Sequence, residues 1–179
     1  HDLSHAIRVQ NLFSNDSYLR VYTSTDLIGA EVGGAIKNAI AVVSGALTGL
    51  GLGENARAAL ISRGILEIVR VVEFMGGKRE TAFGLTGIGD LIVTASSEHA
   101  RNFQAGKKIG MGIPVEDIYK ESTQTIEGIR TIEAMYHLSK TYGLDLPLMI
   151  VAYQSIFEDL KVSDAVPKLL SRDLKSEDF

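Results

Sequence analysis

A run of 22 residues, Val32–Gly53 (VGGAIKNAIAVVSGALTGLGLG), carries a single charge, Lys37. A helix through this run is apolar nearly all round, and such a helix has to be buried. Along that helix the neighbours of Lys37 three and four residues away are Gly33, Gly34, Ile40 and Ala41. None of them can pair with an ammonium, so no carboxylate on its own helix compensates the charge. The small residues leave room beside the side chain for a small ligand to approach. A lysine held without a partner tends towards a lowered pKa, which suits proton transfer near neutral pH. A lysine that snorkels out of a core helix fits the same pattern, and the segment alone leaves both readings open.

The run is also long enough to span a bilayer. It is rich in Gly and Ala, however, and has Lys37-Asn38 within it, a costly pair in lipid. The expectation is a core helix in a soluble protein, with no membrane span. No secretory signal is read in His1–Gln10, which favours a cytoplasmic location. With 179 residues, 45% of them hydrophobic, the chain can bury a sizeable core. It contains no Cys, which excludes a disulfide framework, a thiolate metal site and a cysteine nucleophile. A net charge of -4 argues against a sequence-independent nucleic-acid binder. The histidines His1, His5, His99 and His137 show no ligand spacing beyond the first two, four apart near a terminus that would fray. No metal site is expected.

Residues 3–14 read as a short helix. Leu19–Ser24 (LRVYTS), β-branched and aromatic, is the one clear strand signal. A lone strand needs partners, which suggests a piece of something larger. After Asp26, a candidate N-cap, helical signals cover about 27–48, 54–75, 86–95, 99–110, 114–120, 127–142, 147–159 and 164–172. Pro114, Pro147 and Pro167 are placed near helix starts, and Gly76-Gly77, Gly110 and Gly143 near helix ends. The glycines of Gly49-Leu-Gly51-Leu-Gly53 lie between helices rather than after a strand, so they suit a tight connection and not a dinucleotide turn.

A second cluster follows another glycine-rich turn, Gly84–Gly89. Asp90 and Thr94 are four apart and share a helix face. Asp90 is either an acid at a helix N-terminus or a carboxylate that orients a catalytic lysine or a substrate hydroxyl. Ser96 and Ser97 are read as supplying an N-cap, with Arg101-Asn102 in or near the first turn beyond. A guanidinium beside free helix N–H groups makes a phosphate or carboxylate cradle. Arg101 paired with a surface acid is the alternative.

Four ordered blocks, GAEVGGAIKNAIAVVSGALTGLGLGENARAALISRG, GLTGIGDLIVTASS, ARN and IEG, resemble the bacterial type of NAD(P)-dependent glycerol-3-phosphate dehydrogenase, from about Arg20 to the C-terminus. The resemblance implies an all-α, multi-helix substrate domain over residues 25–179, of the type found at the C-terminus of 6-phosphogluconate dehydrogenase. Residues 1–24, with the strand, would be the last part of a Rossmann domain. It implies NAD or NADP as cofactor, held mainly by that other domain, which would also carry the glycine fingerprint and a second substrate lysine. The substrate pair would be dihydroxyacetone phosphate and sn-glycerol 3-phosphate. Lys37 matches the proton donor and acceptor, and Asp90 a substrate-site carboxylate. Arg101 and Asn102 match a pair on the substrate phosphate, with the arginine also near the cofactor. Asn38 and Thr94 match positions close to the substrate, and Glu127, with Thr125 beside it, matches a residue that contacts the dinucleotide. The family usually has Ser where this chain has Ala100, so a hydroxyl contact is lost there and only the backbone N–H remains. A homodimer is the expected assembly. Two other classes stay open: a non-catalytic helical module for dimerisation or partner binding, and a different helical-domain dehydrogenase of the 6-phosphogluconate or hydroxyacid type.

Overall fold

The central helix of the computed structural model, which describes residues 3–122 and 125–171, is α2 (Leu27–Gly49). Before it come α1 (Leu3–Phe13) and an irregular segment. After it come α3 (Glu54–Phe74), α4 (Arg79–Ala82), a single π turn (Leu85–Gly89), α5 (Asp90–Ser96), α6 (Arg101–Gly110), α7 (Val115–Glu121), α8 (Glu127–Tyr142), α9 (Pro147–Phe157) and α10 (Val162–Leu170). α3, α5, α6 and α8 all pack directly on α2. Its apolar residues Ile36, Ala39, Ile40, Ala41 and Val42 are buried to within a few per cent. By length and composition alone α2 could cross a membrane; here its apolar surface is used as the core of a helical bundle.

Backbone contact between α2 and α6 explains the glycines of both helices. A Cβ built on Gly106 would fall 1.8 Å from the Val42 carbonyl oxygen, and one on Gly45 would fall 2.0 Å from that of Phe103. Gly49 and Gly110, one turn along each helix, meet the opposite backbone in the same way. The two helices cross at a distance no side chain at these positions permits, so α6 is held close to the lysine-bearing helix. On the far side, α3 presents Leu60, Gly64, Ile65, Ile68, Val71 and Val72, the three-and-four spacing of one buried face.

The buried acid in that face is Glu67, 1% exposed. Its two carboxyl oxygens accept the backbone N–H groups of Leu148 (2.6 Å) and Met149 (3.3 Å), the otherwise unpaired donors in the first turn of α9. Glu67 is thus an N-cap supplied by another helix. Gly143 ends α8 with φ 71°, the left-handed conformation, and its N–H bonds to the Ser139 carbonyl at 2.9 Å.

Several sequence expectations are corrected. Leu19–Ser24 forms no strand, and no strand occurs among the described residues. Extended backbone needs a neighbour to make a ladder; here Val21 instead bonds through its N–H to Ser14 Oγ and through its carbonyl to Gln10 Nε2. Ser96 closes α5 instead of opening α6, whose N-cap is Ala100 with no side-chain cap bond. The helix expected over 86–95 begins as a π turn, closed by a bond from Gly89 N to Gly84 O at 3.2 Å, with α5 starting at Asp90. Pro167 lies inside α10, not at its start, and residue 172 of the expected helix lies outside the described residues. The short α4 was not expected.

Candidate functional site

Lys37 leaves α2 beside Gly34, where a Cβ would meet nothing within 4 Å. No acid on α2 faces it, as its helical neighbours require. The carboxylate comes from another element: Asp90, the first residue of α5, forms an ion pair with Lys37 through Oδ2. The side chains are 20% and 41% exposed, so the pair sits at an opening, not in the core. Thr94, one turn along α5, donates from its hydroxyl to the other Asp90 oxygen at 3.2 Å. Asp90 is thus both an acid at a helix N-terminus and the ion-pair partner of Lys37.

The next residue of α2 begins a second cluster. Asn38 Oδ1 accepts from Asn102 Nδ2 at 3.1 Å, and Asn102 Oδ1 accepts the Gly128 backbone N–H at 3.0 Å. Asn38 Nδ2 lies 3.5 Å from Glu127 Oε2. Three helices meet at these side chains: α2, the N-terminus of α6 and the N-terminus of α8. Gly128 allows the approach, because a Cβ there would stand 2.4 Å from the Asn38 carbonyl oxygen. Adjacency in the chain joins the clusters, with Lys37 next to Asn38 and Arg101 next to Asn102.

Arg101 is exposed in the first turn of α6. That turn contains no acid, and Ala100 supplies no capping side chain. The helix N–H groups and this guanidinium form a positive corner, joined to the lysine-bearing helix by the bond from Asn102 to Asn38. Glu127, exposed at the start of α8, is the acid on the same rim, and Thr125 precedes it, also exposed. Of the residues named from sequence, Lys37 and Thr94 both bond to Asp90, and Asn102 and Glu127 both approach Asn38. Arg101 and Thr125 border them, as does Ala100, whose N–H is bonded to the Ser97 carbonyl at 3.0 Å and so is not the free donor expected there. The Gly128 N–H joins this cluster without having been expected; the IEG block contains it, but nothing in sequence marks a backbone donor. Among the described residues no group of three or more His, Asp or Glu is placed to hold a metal ion, and His1 lies outside those residues.

Residues 26–167 match the family model described as NAD-dependent glycerol-3-phosphate dehydrogenase C-terminus. The chain belongs to this family. Among its relatives, a glycerol-3-phosphate dehydrogenase, NAD(P)+, from Acholeplasma laidlawii is 65% identical over 94% of the chain and 51% of its own length. The enzyme of the same name from Phytoplasma mali is 50% identical over 98% of the chain and 53% of its own length. The crystal structure of glycerol-3-phosphate dehydrogenase from Coxiella burnetii superposes with a TM-score of 0.88 at 35% identity, covering 96% of this chain and 53% of that one. The chain thus spans about half the length of the relatives it matches, and its all-helical architecture is that of the family's C-terminal region.

Proposed function

We propose that the chain is the substrate-binding and catalytic part of an NAD(P)-dependent glycerol-3-phosphate dehydrogenase, which reversibly reduces dihydroxyacetone phosphate to sn-glycerol 3-phosphate. The observation that carries this reading is the partly exposed Lys37–Asp90 pair, linked through Asn38 and Asn102 to the positive N-terminal corner of α6. Nicotinamide, when bound, supplies the hydride for C2 of the substrate. The chain's own residues do the rest. Lys37 Nζ gives a proton to the oxygen developing on C2 and takes it back in the reverse direction. Asp90, held by Thr94, accepts from the ammonium and fixes its direction. Arg101, Asn102 and the free N–H groups of α6, that of Ala100's neighbour included, bind the phosphate, and this binding positions the reacting carbon. Asn38 ties the phosphate corner to the proton-transfer lysine.

Arg101, Thr125 and Glu127 are exposed on the rim and fit the edge of a dinucleotide. No glycine turn following a strand occurs among the described residues, so a pyrophosphate cradle would come from elsewhere in the protein. We assign that role to a Rossmann domain of which residues 1–24 are the last part. Two features support this boundary: the family model begins at residue 26, and none of α1 is buried. Its Leu3, Ile7, Leu12 and Phe13 are all more than 40% exposed, an apolar surface suited to packing on further chain. A cytoplasmic homodimer completes the proposal, tested by light scattering on the full-length protein.

The decisive experiment is Lys37→Ala in the full-length enzyme. Turnover should fall by ~10²–10⁴-fold, the usual contribution of a positioned proton donor, with cofactor binding little changed. Near-normal turnover would remove Lys37 from the mechanism.

A further inference from the structure

The proton-transfer pair joins two stretches of chain: α2, which carries Lys37, and the stretch from Lys78 to Ser96, which carries Asp90. Its geometry depends on how the second stretch seats on the first. Two buried polar residues fasten it, one on either side of Lys37: the N-cap of α2 and a serine within the helix. At the N-terminal end stands Asp26, 9% exposed. One carboxylate oxygen caps α2 by accepting the Gly29 N–H at 2.9 Å. The other leaves the helix and accepts the Lys78 N–H at 2.8 Å, at the entry to α4. These backbone donors and the nearby Thr81 side chain hold the carboxyl below the usual carboxylate range. At the other end Ser44, fully buried, donates from Oγ to the Ala95 carbonyl at 2.6 Å, in α5. Between the two fastenings the π turn lies on the α2 backbone, where a Cβ on Gly33 would stand 3.1 Å from the Thr86 carbonyl oxygen.

Capping a helix needs one oxygen. Asp26 uses its second for a different element, 52 residues away in sequence, and that element leads directly into the turn that presents Asp90. We propose that Asp26 is a positioning residue for proton transfer: with Ser44 it clamps the Lys78–Ser96 stretch onto α2 and so sets the placement of Asp90 against Lys37. Neither residue touches the substrate. This inference rests on the functional reading given above.

The test uses the full-length enzyme. Asp26→Ser keeps a short oxygen for the Gly29 N–H and so keeps the cap, but it offers no second acceptor to Lys78. Asp26→Asn keeps one acceptor and turns an NH₂ group towards the other donors. Both variants should lose kcat by ~10-fold or more, since small misplacements of reacting groups are costly. The substrate KM should stay within about threefold, because the phosphate corner is tied separately through Asn102. The limb of the kcat–pH profile that Lys37→Ala abolishes should also move. Ser44→Ala, which leaves the α2 cap intact, should act in the same direction, and it carries the test if the Asp26 variants fail to fold. A crystal structure of the Asp26→Ser protein should show Asp90 displaced from Lys37. Folded variants with wild-type kcat and pH profile would overturn the proposal. So would a loss of activity in Ser44→Ala that only follows the loss of folded protein. If Lys37→Ala itself leaves turnover intact, the functional reading fails instead, and the Lys37–Asp90 separation in the Asp26→Ser structure still decides whether the clamp exists.

Discussion

Glu67 gives the sharpest prediction about stability. Two influences oppose each other at this carboxyl. Burial disfavours the charged form, whereas the Leu148 and Met149 N–H groups favour it. Arg70 also favours it, but its guanidinium is turned to the Asp145 carbonyl at 2.9 Å and is partly exposed. Burial wins and pushes the carboxyl from 4.5 up to about 8. The sign follows from linkage. A folded state that holds its proton more tightly than the unfolded chain is stabilised below the unfolded pKa and loses that stabilisation as pH rises through the folded one. Between pH 4.5 and 8 the linkage is worth at most roughly 5 kcal/mol, at about 1.4 kcal/mol per pH unit. Relaxation and water entry would reduce it, so a loss of ~2–4 kcal/mol is the expected outcome. Glu67→Gln keeps the shape and one acceptor for α9 but cannot ionise. Urea unfolding of wild type and variant at pH 5, 6.5 and 8 isolates the effect, because all other groups titrate in both. The gap between them should swing in the variant's favour as pH rises. Parallel pH dependences, or a wild type that gains on the variant towards pH 8, would refute the argument and show that the amide donors match or outweigh burial.

Three further outcomes are expected. Arg101→Ala in the full-length enzyme should weaken the phosphorylated substrate by roughly 1.5–3 kcal/mol while sparing an unphosphorylated analogue; equal losses by steady-state kinetics would give the arginine another role. Gly106→Ala should cost ~3 kcal/mol or more in denaturant unfolding, because its methyl would meet the Val42 backbone and not a flexible side chain. Ser155 Oγ is buried without a hydrogen-bond partner beside an apolar cavity between α2, α6, α9 and α10. Ser155→Ala should therefore raise the unfolding free energy by about 1 kcal/mol, and a lowered thermal midpoint would mean that the hydroxyl is satisfied.

Where one helix face decides an element, the sequence is nearly sufficient. The bounds of α2, α3 and α8 fall within a residue of expectation, because long apolar periodicity and glycine stops act locally. Elements whose conformation is set by neighbours were not legible. LRVYTS has the composition of a strand, yet strand pairing belongs to two segments and cannot be assigned to one. The serines before Arg101 have cap chemistry, but α5 ends on the first of them. The π turn needs a bond that skips one residue more than an α-helix allows, and no composition marks it.

The same division runs through the site. Lys37 stands out because a lone charge in an apolar helix is improbable as packing and costly without compensation. Its local neighbours establish that the compensation cannot come from α2. They do not say where it comes from. That answer requires the chain to leave α2, traverse α3 and return through a glycine-rich turn that sets Asp90 at the head of a new helix. The two asparagines show the limit more sharply, since each is an ordinary polar residue on its own helix. Only the approach of α6 and α8 to α2, made possible by Gly106 and Gly128, converts them into a bridge from the lysine to the positive corner. The glycines that look like turn punctuation in the sequence thus act at the site by letting backbones meet, and their substitution should damage catalysis through geometry without altering any group that touches substrate.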